Sequence, residues 1–395
     1  MAKRNEAINR ELRMGMVGGG PGAFIGEVHR KAARLDGKIR LVAGAFSRDP
    51  EKSKQQGREL FLDENRVYSS YTEMIAKETA LPESERIDFV SVVTPNDSHF
   101  AVARDFIKAG FSVVLDKPMT FDVKQARALK KTVDSSGALF ALTHNYTGYP
   151  MVKLARDLCR RKEFGAVRKI VVQYPQGWLA TALEQTGQRQ ASWRTDPKRS
   201  GAAGCIGDIG THAENLAEYI TGLRISEICA DLTTFVKGRK LDDDGNCLLR
   251  FENGARGILF ASQISVGEEN HLAIWVYGEN GSIAWRQEDP NTLDYKVNDG
   301  PVQVWKRGNG YVGAVSAAAA RATRLPSGHP EAFIEAFANI YGNFADALRA
   351  KLEGRKPDPL ALDFPSVDDG LRGMLFIETV VKSSRSKAKW VKMPK

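Results

Sequence analysis

A chain of 395 residues is longer than one hydrophobic core usually serves, so two domains are expected. Hydrophobic residues make up 42% and charged residues 27%, which excludes a disordered chain and sets an ordinary folded, soluble class. Lys and Arg exceed Asp and Glu by 57 to 48, but the excess is spread thinly, with mild clusters at Lys153 to Lys169 and Lys382 to Lys395; without interleaved aromatics it points to a solvated surface and to neither nucleic acid nor membrane.

Met1 to Ala7 is polar and lacks the apolar segment of a secretory signal, and no later run approaches a membrane span. Cys159, Cys205, Cys229 and Cys247 are too far apart for a Cys-x-x-Cys metal or redox pair, so no metal is expected and the reducing cytoplasm is the default compartment.

The first apolar run, Met14 to Val17, passes through Gly18, Gly19, Gly20, Pro21 and Gly22 into a helical pattern from Ala23 to Leu35. Gly18, Gly20 and Ala23 match the G-x-G-x-x-G/A spacing of dinucleotide sites: glycine for the tight turn, glycine for close approach of pyrophosphate, and a small residue where helix meets strand. The helix N-terminus offers unpaired N–H groups to the anion, so Gly18, Gly20, Pro21, Gly22, Ala23 and Phe24 are candidate cofactor contacts. Strands are predicted at Ile39 to Phe46, Phe89 to Val93, Ser112 to Leu115 and Leu139 to Leu142, alternating with helices at Pro50 to Leu60, Tyr71 to Lys77, Ser98 to Ala109 and Val123 to Ser135. This alternation predicts a doubly wound parallel sheet over residues 1–146, with its ligand crevice beyond the carboxyl ends of the strands.

Three further groups fall at those strand ends. Ser47 and Arg48 follow the second strand, where a hydroxyl and a guanidinium suit a 2′-phosphate and favour NADP; Asp49, one step later, would accept the ribose of NAD if the strand ran longer. Thr94, Asn96 and His99 follow the third strand, and Asp116, Lys117 and Pro118 the fourth. A partly desolvated lysine beside a cationic ring can polarise or deprotonate a substrate hydroxyl, although the same position suits a surface lysine closing a loop. Asn145 and Tyr146, after the last strand, are candidates to line the crevice, and His144 beside them is ambiguous. His29, His271 and His329 have no companion motif and read as ordinary histidines.

From 147 to 395 the texture becomes α+β. An extended run at Val167 to Gln173 and short strands at Cys247 to Glu252, Ala255 to Ser262, Leu272 to Tyr277 and Ser282 to Arg286 predict a largely antiparallel open sheet. Glu252-Asn253-Gly254 and Glu279-Asn280-Gly281 read as hairpin turns. Helices are predicted at Pro330 to Leu352 and Val367 to Lys382, with Pro357 to Pro365 as a linker, while 289–325 receives no element. Asp208 and His212 stand four apart at a Gly-rich helix start, a spacing that puts carboxylate and imidazole on one helical face; an N-cap aspartate with a core histidine fits the same spacing. Trp193 and Arg194 precede them, and Trp193 reads equally as a sugar-stacking or a core indole.

Taken in order, the glycine turn, Thr94-Pro95-Asn96, Asp116-Lys117-Pro118 and Gly207-Asp208-Ile209-Gly210-Thr211-His212 resemble the Gfo/Idh/MocA oxidoreductase family over essentially the whole chain. Asp116 stands where that family usually has Glu. The resemblance implies an NAD(P)-dependent dehydrogenase that interconverts a secondary alcohol and a ketone on a sugar, inositol-like cyclitol or other polyol, with hydride passing to nicotinamide. It implies His212 as the acid/base, with Lys117 and Asp208 assisting, substrate contacts among Asn145, Trp193, Arg194, Asp208 and His212, and a homodimer or homotetramer. Two other readings keep the dinucleotide: a glycosidase that works by oxidation and elimination, and a non-catalytic redox sensor. The proton-transfer groups argue against the sensor.

Overall fold

The computed structural model describes residues 7–394; Met1 to Glu6, on which the reading of the N-terminus rests, and Lys395 lie outside the described residues. The chain divides into two compact units.

The first comprises residues through Thr120, Lys124–Asn145 and Phe333–Gly370. Its strands β1 (Leu12–Gly18), β2 (Ile39–Ala45), β3 (Phe89–Val93), β4 (Ser112–Leu115) and β5 (Phe140–Leu142) form one parallel sheet in the order β2-β1-β3-β4-β5. The registers Met14↔Phe89, Phe89↔Ser112 and Val113↔Phe140 align the strands, so their carboxyl ends share one edge. Helices α1 (Phe24–Arg34), α2 (Pro50–Glu59), α3 (Tyr71–Ala80), α4 (Asn96–Lys108) and α5 (Val123–Ser136) supply the connections. β3 and β4 are buried along their whole length, as expected of strands covered on both faces.

The second unit comprises Phe121–Val123, Tyr146–Ala332 and the chain from Leu371. After α6 (Pro150–Cys159) come β6 (Lys169–Pro175), the short helices α7 (Arg189–Arg194) and α8 (Pro197–Ser200), a π-helical turn at Ile206–Gly210, and α9 (Thr211–Thr221). Then follow β7 (Ile225–Thr233), β8 (Asp244–Phe251), β9 (Arg256–Ser262), β10 (Ala273–Tyr277), β11 (Gly281–Arg286), β12 (Thr292–Val297) and β13 (Gln303–Lys306), and later β14 (Val391–Lys392). The nine strands form one sheet, β13-β12-β11-β10-β6-β9-β8-β7-β14, antiparallel except where β6 runs beside β9. α9 packs on β6 and β9 and against α6, which places the start of α9 over the middle of the sheet.

The structure corrects the reading in three places. Residues 333–370, assigned to the second domain, belong to the first unit: α12 (Phe333–Leu352) packs on α1 and buries Phe337, Ile340, Tyr341, Phe344 and Leu348 in the core that also holds Leu12, Met14, Met16 and Phe89. Each such side chain contributes roughly 1.5–3 kcal/mol, which outweighs sequence proximity in deciding where the helix belongs. Residues 289–325 are ordered, as β12, β13, α10 (Gly310–Val315) and α11 (Ala317–Arg321); the four-alanine run is this last helix, capped by the Ser316 side chain, and buried Arg307 ties the segment together through Glu331 at 2.7 Å and the Leu325 carbonyl at 2.9 Å. Of the two Asn-Gly turns, Gly254 takes the left-handed conformation at φ 91°, whereas Gly281 is already the first residue of β11. The last helix, α13 (Val367–Arg385), runs close to its expected span.

Candidate functional site

The glycine turn is built by steric necessity. Gly18, Gly19 and Gly22 have φ of 88°, 73° and 74°, which a side chain would oppose. A Cβ on Gly18 would lie 2.9 Å from the Val93 carbonyl, and one on Gly20 would lie 2.7 Å from the Phe46 oxygen, so the loop is pressed between the ends of β3 and β2. The small residue where helix meets loop is Gly26 rather than Ala23: a Cβ there would stand 2.3 Å from the Gly19 Cα. Ala23 is instead the N-cap of α1 and supplies no side-chain cap, while Phe24 is 64% exposed. Pro21 and Gly22 form the turn itself, and Arg30 donates to the Gly19 carbonyl at 2.9 Å. A helix start without a side-chain cap behind a Cβ-free cradle fits a dinucleotide phosphate.

At the neighbouring strand ends, Ser47 is half-buried and accepts from the Asp49 N–H at 3.1 Å. Asp49 is the N-cap of α2, accepting from the amides of Glu51 and Lys52. Arg48 is exposed, with a guanidinium nitrogen 3.6 Å from Asp97. Asn96 is buried as the first residue of α4. The Thr94 Oγ1 and the Asn145 Nδ2 are buried without a hydrogen-bond partner among the described residues. Such orphaned groups are costly unless a ligand satisfies them.

His99 is corrected by its surroundings. It is fully buried, with Nδ1 2.8 Å from the Pro118 carbonyl and Nε2 2.7 Å from that of Thr94. Both nitrogens face main-chain carbonyls, to one of which the neutral imidazole donates, so neither is turned toward a cofactor. Burial pushes its pKa down, against the opposing pull of Asp116 and the two carbonyls. Burial pushes His144 down as well, to about 3, helped by the Lys117 charge.

Asp116 and Lys117 leave β4 together, and Lys117 is joined to Pro118 by a cis peptide. The Asp116 Oδ1 accepts from the Lys117 amide at 2.9 Å and from the Thr143 hydroxyl at 2.8 Å. Burial works to raise this carboxyl, but His29, Lys117 and His99 outweigh it and hold it well below the usual carboxylate range. Lys117 itself is half-buried.

In the second unit, Asp208 lies within the π-helical turn and His212 in the first turn of α9, so the uniform α-helical spacing predicted for them is interrupted. Turns of this kind recur at functional sites. The Asp208 Oδ2 accepts from the Arg194 Nε at 3.0 Å and the Gln263 Nε2 at 2.9 Å. Asp242 holds the start of the turn by accepting from the Gly204 and Ile206 amides. The Arg194 guanidinium lies 4.2 Å from the centre of the Trp193 ring and 5.9 Å from that of Trp178; both indoles are half-exposed, which makes Trp193 part of a cationic aromatic shelf and not of the core.

His212 is 7% exposed and meets the Tyr146 ring edge-on at 4.8 Å. The Tyr146 hydroxyl is hydrogen-bonded to that of Tyr174, which donates to the Asn270 Oδ1 at 2.7 Å. Burial raises both phenols, so they stay protonated. Gln263, Trp178, Tyr174 and Asn270 were not foreseen; they come from separate strands and loops and carry no local motif. Among the described residues no group of three or more His, Cys, Asp or Glu is arranged to hold a metal ion, and no helix is long and apolar enough to cross a membrane.

A parallel nucleotide-binding sheet with a glycine cradle, followed by an open mixed sheet, defines a dinucleotide-dependent oxidoreductase architecture. The chain belongs to the Gfo/Idh/MocA family: residues 12–144 match the oxidoreductase family with NAD-binding Rossmann fold, and residues 152–284 match the GFO/IDH/MocA C-terminal domain. It is 32% identical to the uncharacterized oxidoreductase YfiI of Bacillus subtilis (strain 168), over 99% of each chain. Among solved structures, an oxidoreductase from Sinorhizobium meliloti is similar at 45% identity and a TM-score of 0.86, covering 97% of this chain and all of that one. An inositol dehydrogenase homolog from Azotobacter vinelandii, complexed with NADH and myo-inositol, aligns at 33% identity and a TM-score of 0.89, over 98% of this chain and 99% of that one.

Proposed function

We propose that this chain interconverts a secondary alcohol and a ketone on a sugar, cyclitol or related polyol, with Lys117, Asp208 and His212 as its proton-handling residues. The observation that carries the reading is Lys117: a half-buried amine leaves β4 at the same sheet edge as the glycine cradle, beside a carboxylate kept ionised. Bound nicotinamide dinucleotide supplies the hydride acceptor. Thr94 and Asn145 would offer it polar atoms that have no hydrogen-bond partner among the described residues, and the uncapped start of α1 would hold its phosphate. Lys117 polarises the reacting hydroxyl, His212 takes its proton, and Asp208, fixed by Arg194 and Gln263, orients the substrate hydroxyls.

NADP(H) is the preferred cofactor in this reading. The alternative acceptor for a free ribose, Asp49, is occupied at its own helix start, while Ser47 and exposed Arg48 suit a 2′-phosphate. A homo-oligomer, dimer or tetramer, is also proposed. Leu248, Ile258, Val171 and Trp275 are consecutive register partners across β8, β9, β6 and β10, all short of full burial and on one face of the sheet.

The test is to incubate the protein with myo-inositol and a panel of aldoses and alditols, with either NAD+ or NADP+, and follow reduced-nicotinamide absorbance. Turnover with at least one polyol, favouring NADP+, is expected. No turnover across the panel together with no dinucleotide binding by calorimetry contradicts the reading, and aglycone release from glycosides without net reduction replaces it with oxidation and elimination.

A further inference from the structure

His29, which reads in the sequence as an unremarkable histidine, is completely buried in the hydrophobic core of the first unit. Its imidazole meets the Phe337 ring at 5.0 Å and the Tyr341 ring edge-on at 5.7 Å, both from α12. An imidazole gains nothing from such a place unless its nitrogens are used. Nδ1 lies 2.7 Å from the Tyr341 hydroxyl on α12, and that hydroxyl lies 2.8 Å from the Ser91 Oγ on β3. Nε2 has no hydrogen-bond partner among the described residues and stands 3.8 Å from the Asp116 Oδ1, just beyond direct hydrogen-bond distance. The groups in line are thus Ser91, Tyr341, His29 and Asp116, and the last is the residue before Lys117.

The polarity of the line follows from its ends. Asp116 is held ionised and can only accept, so the imidazole proton belongs on Nε2. Nδ1 then accepts from Tyr341, whose phenol is kept protonated by burial, and the phenolic oxygen accepts from Ser91. Among the described residues, the titratable groups in contact with this imidazole are Asp116 from the end of β4 and Tyr341 from α12, while β3 presents the neutral Ser91. The same Asp116 Oδ1 receives the Lys117 amide and the Thr143 hydroxyl.

We propose that His29, aligned by Tyr341 and Ser91, is a positioning residue for the catalytic lysine: it fixes the Asp116 carboxylate, and through the hydrogen bond from the Lys117 amide fixes the backbone from which that amine projects. The catalytic part of this statement rests on the function proposed above for Lys117.

Two measurements on the full-length protein test the proposal. Nitrogen NMR of histidine-labelled protein without any ligand should show His29 as the Nε2–H tautomer, with its resonances moving in Tyr341→Phe and in Asp116→Asn. In kinetics, Tyr341→Phe, which deletes a single oxygen, should lower kcat about tenfold, the kinetic equivalent of one hydrogen bond, with the polyol KM changed less than about twofold. The acid limb of its kcat–pH profile should move to higher pH, because a carboxylate released from the imidazole turns more negative charge toward the amine. An Nδ1–H tautomer indifferent to Asp116→Asn overturns the proposal, as does a Tyr341→Phe enzyme that melts lower but keeps the parental kcat and pH profile. If no polyol is turned over, the proposed function fails and the NMR result alone decides the alignment.

Discussion

In the proposed function, the glycine cradle of the first unit and the Asp208 cluster of the second hold polar groups ready for a ligand by opposite means. In the cradle the backbone does the work, and what matters is the atoms that are missing: Gly18, Gly20 and Gly26 each sit where a Cβ would strike main chain. In the cluster side chains do the work, with Arg194 from α7 and Gln263 from the end of β9 meeting one carboxylate in a π-helical turn. A backbone device tolerates almost no substitution and leaves a local signature. A side-chain device tolerates conservative exchange and leaves almost none.

That contrast can be broken most sharply at Gly20. Gly20→Ala places a methyl 2.7 Å from a main-chain oxygen, so the loop must shift; overpacking of about 1–3 kcal/mol predicts dinucleotide affinity weakened about ten- to hundredfold for NAD+ and NADP+ alike. Unchanged affinity by calorimetry would mean the cradle is not the phosphate site. Arg194→Met tests the other device. It removes a charged donor from Asp208 but leaves Gln263, so kcat should fall about tenfold while dinucleotide affinity stays put. A loss of dinucleotide affinity instead would show that the cluster has another role.

The first unit can also be tested through pH, since two of its buried histidines titrate with folding. His144 and His99 are both pushed down by burial, His144 to about 3, so below about pH 6.5 the unfolded chain takes up protons that the folded one refuses. Stability should therefore fall as pH drops from about 6.5 to about 4, by roughly 1.4 kcal/mol per pH unit for His144, with His99 adding to the fall in the same direction. Asp116, whose pKa is depressed in the folded state, adds to the loss only below about pH 4. Denaturant melts across this range, with His144→Gln showing a shallower slope, check the sign; a flat profile would contradict it.

The same contrast accounts for what the sequence disclosed. The five strands of the parallel sheet were legible because each is a short apolar run between turn signals, and the motif residues at their ends followed from chain direction alone. The placement of α12 was not, because an amphipathic helix advertises a buried face without naming the sheet that buries it. His99 was misread for a related reason: its sequence neighbours are ligand-binding types, but its partners are main-chain carbonyls that carry no residue identity. β12 and β13 escaped notice because they lie toward one end of the sheet and are only partly buried, which weakens the alternation that marks a strand.

The central claim is that Lys117 and His212 serve one proton transfer. The most direct test is a double-mutant cycle with Lys117→Met and His212→Gln, reading kcat and dinucleotide affinity for the two single variants and the pair. Each single change should lower kcat by about 10²–10⁴ with dinucleotide affinity nearly intact, and the double variant should be scarcely worse than either, because groups that act as a unit are not additive. A double variant whose loss equals the product of the two single losses would show that the residues act independently and would contradict the account.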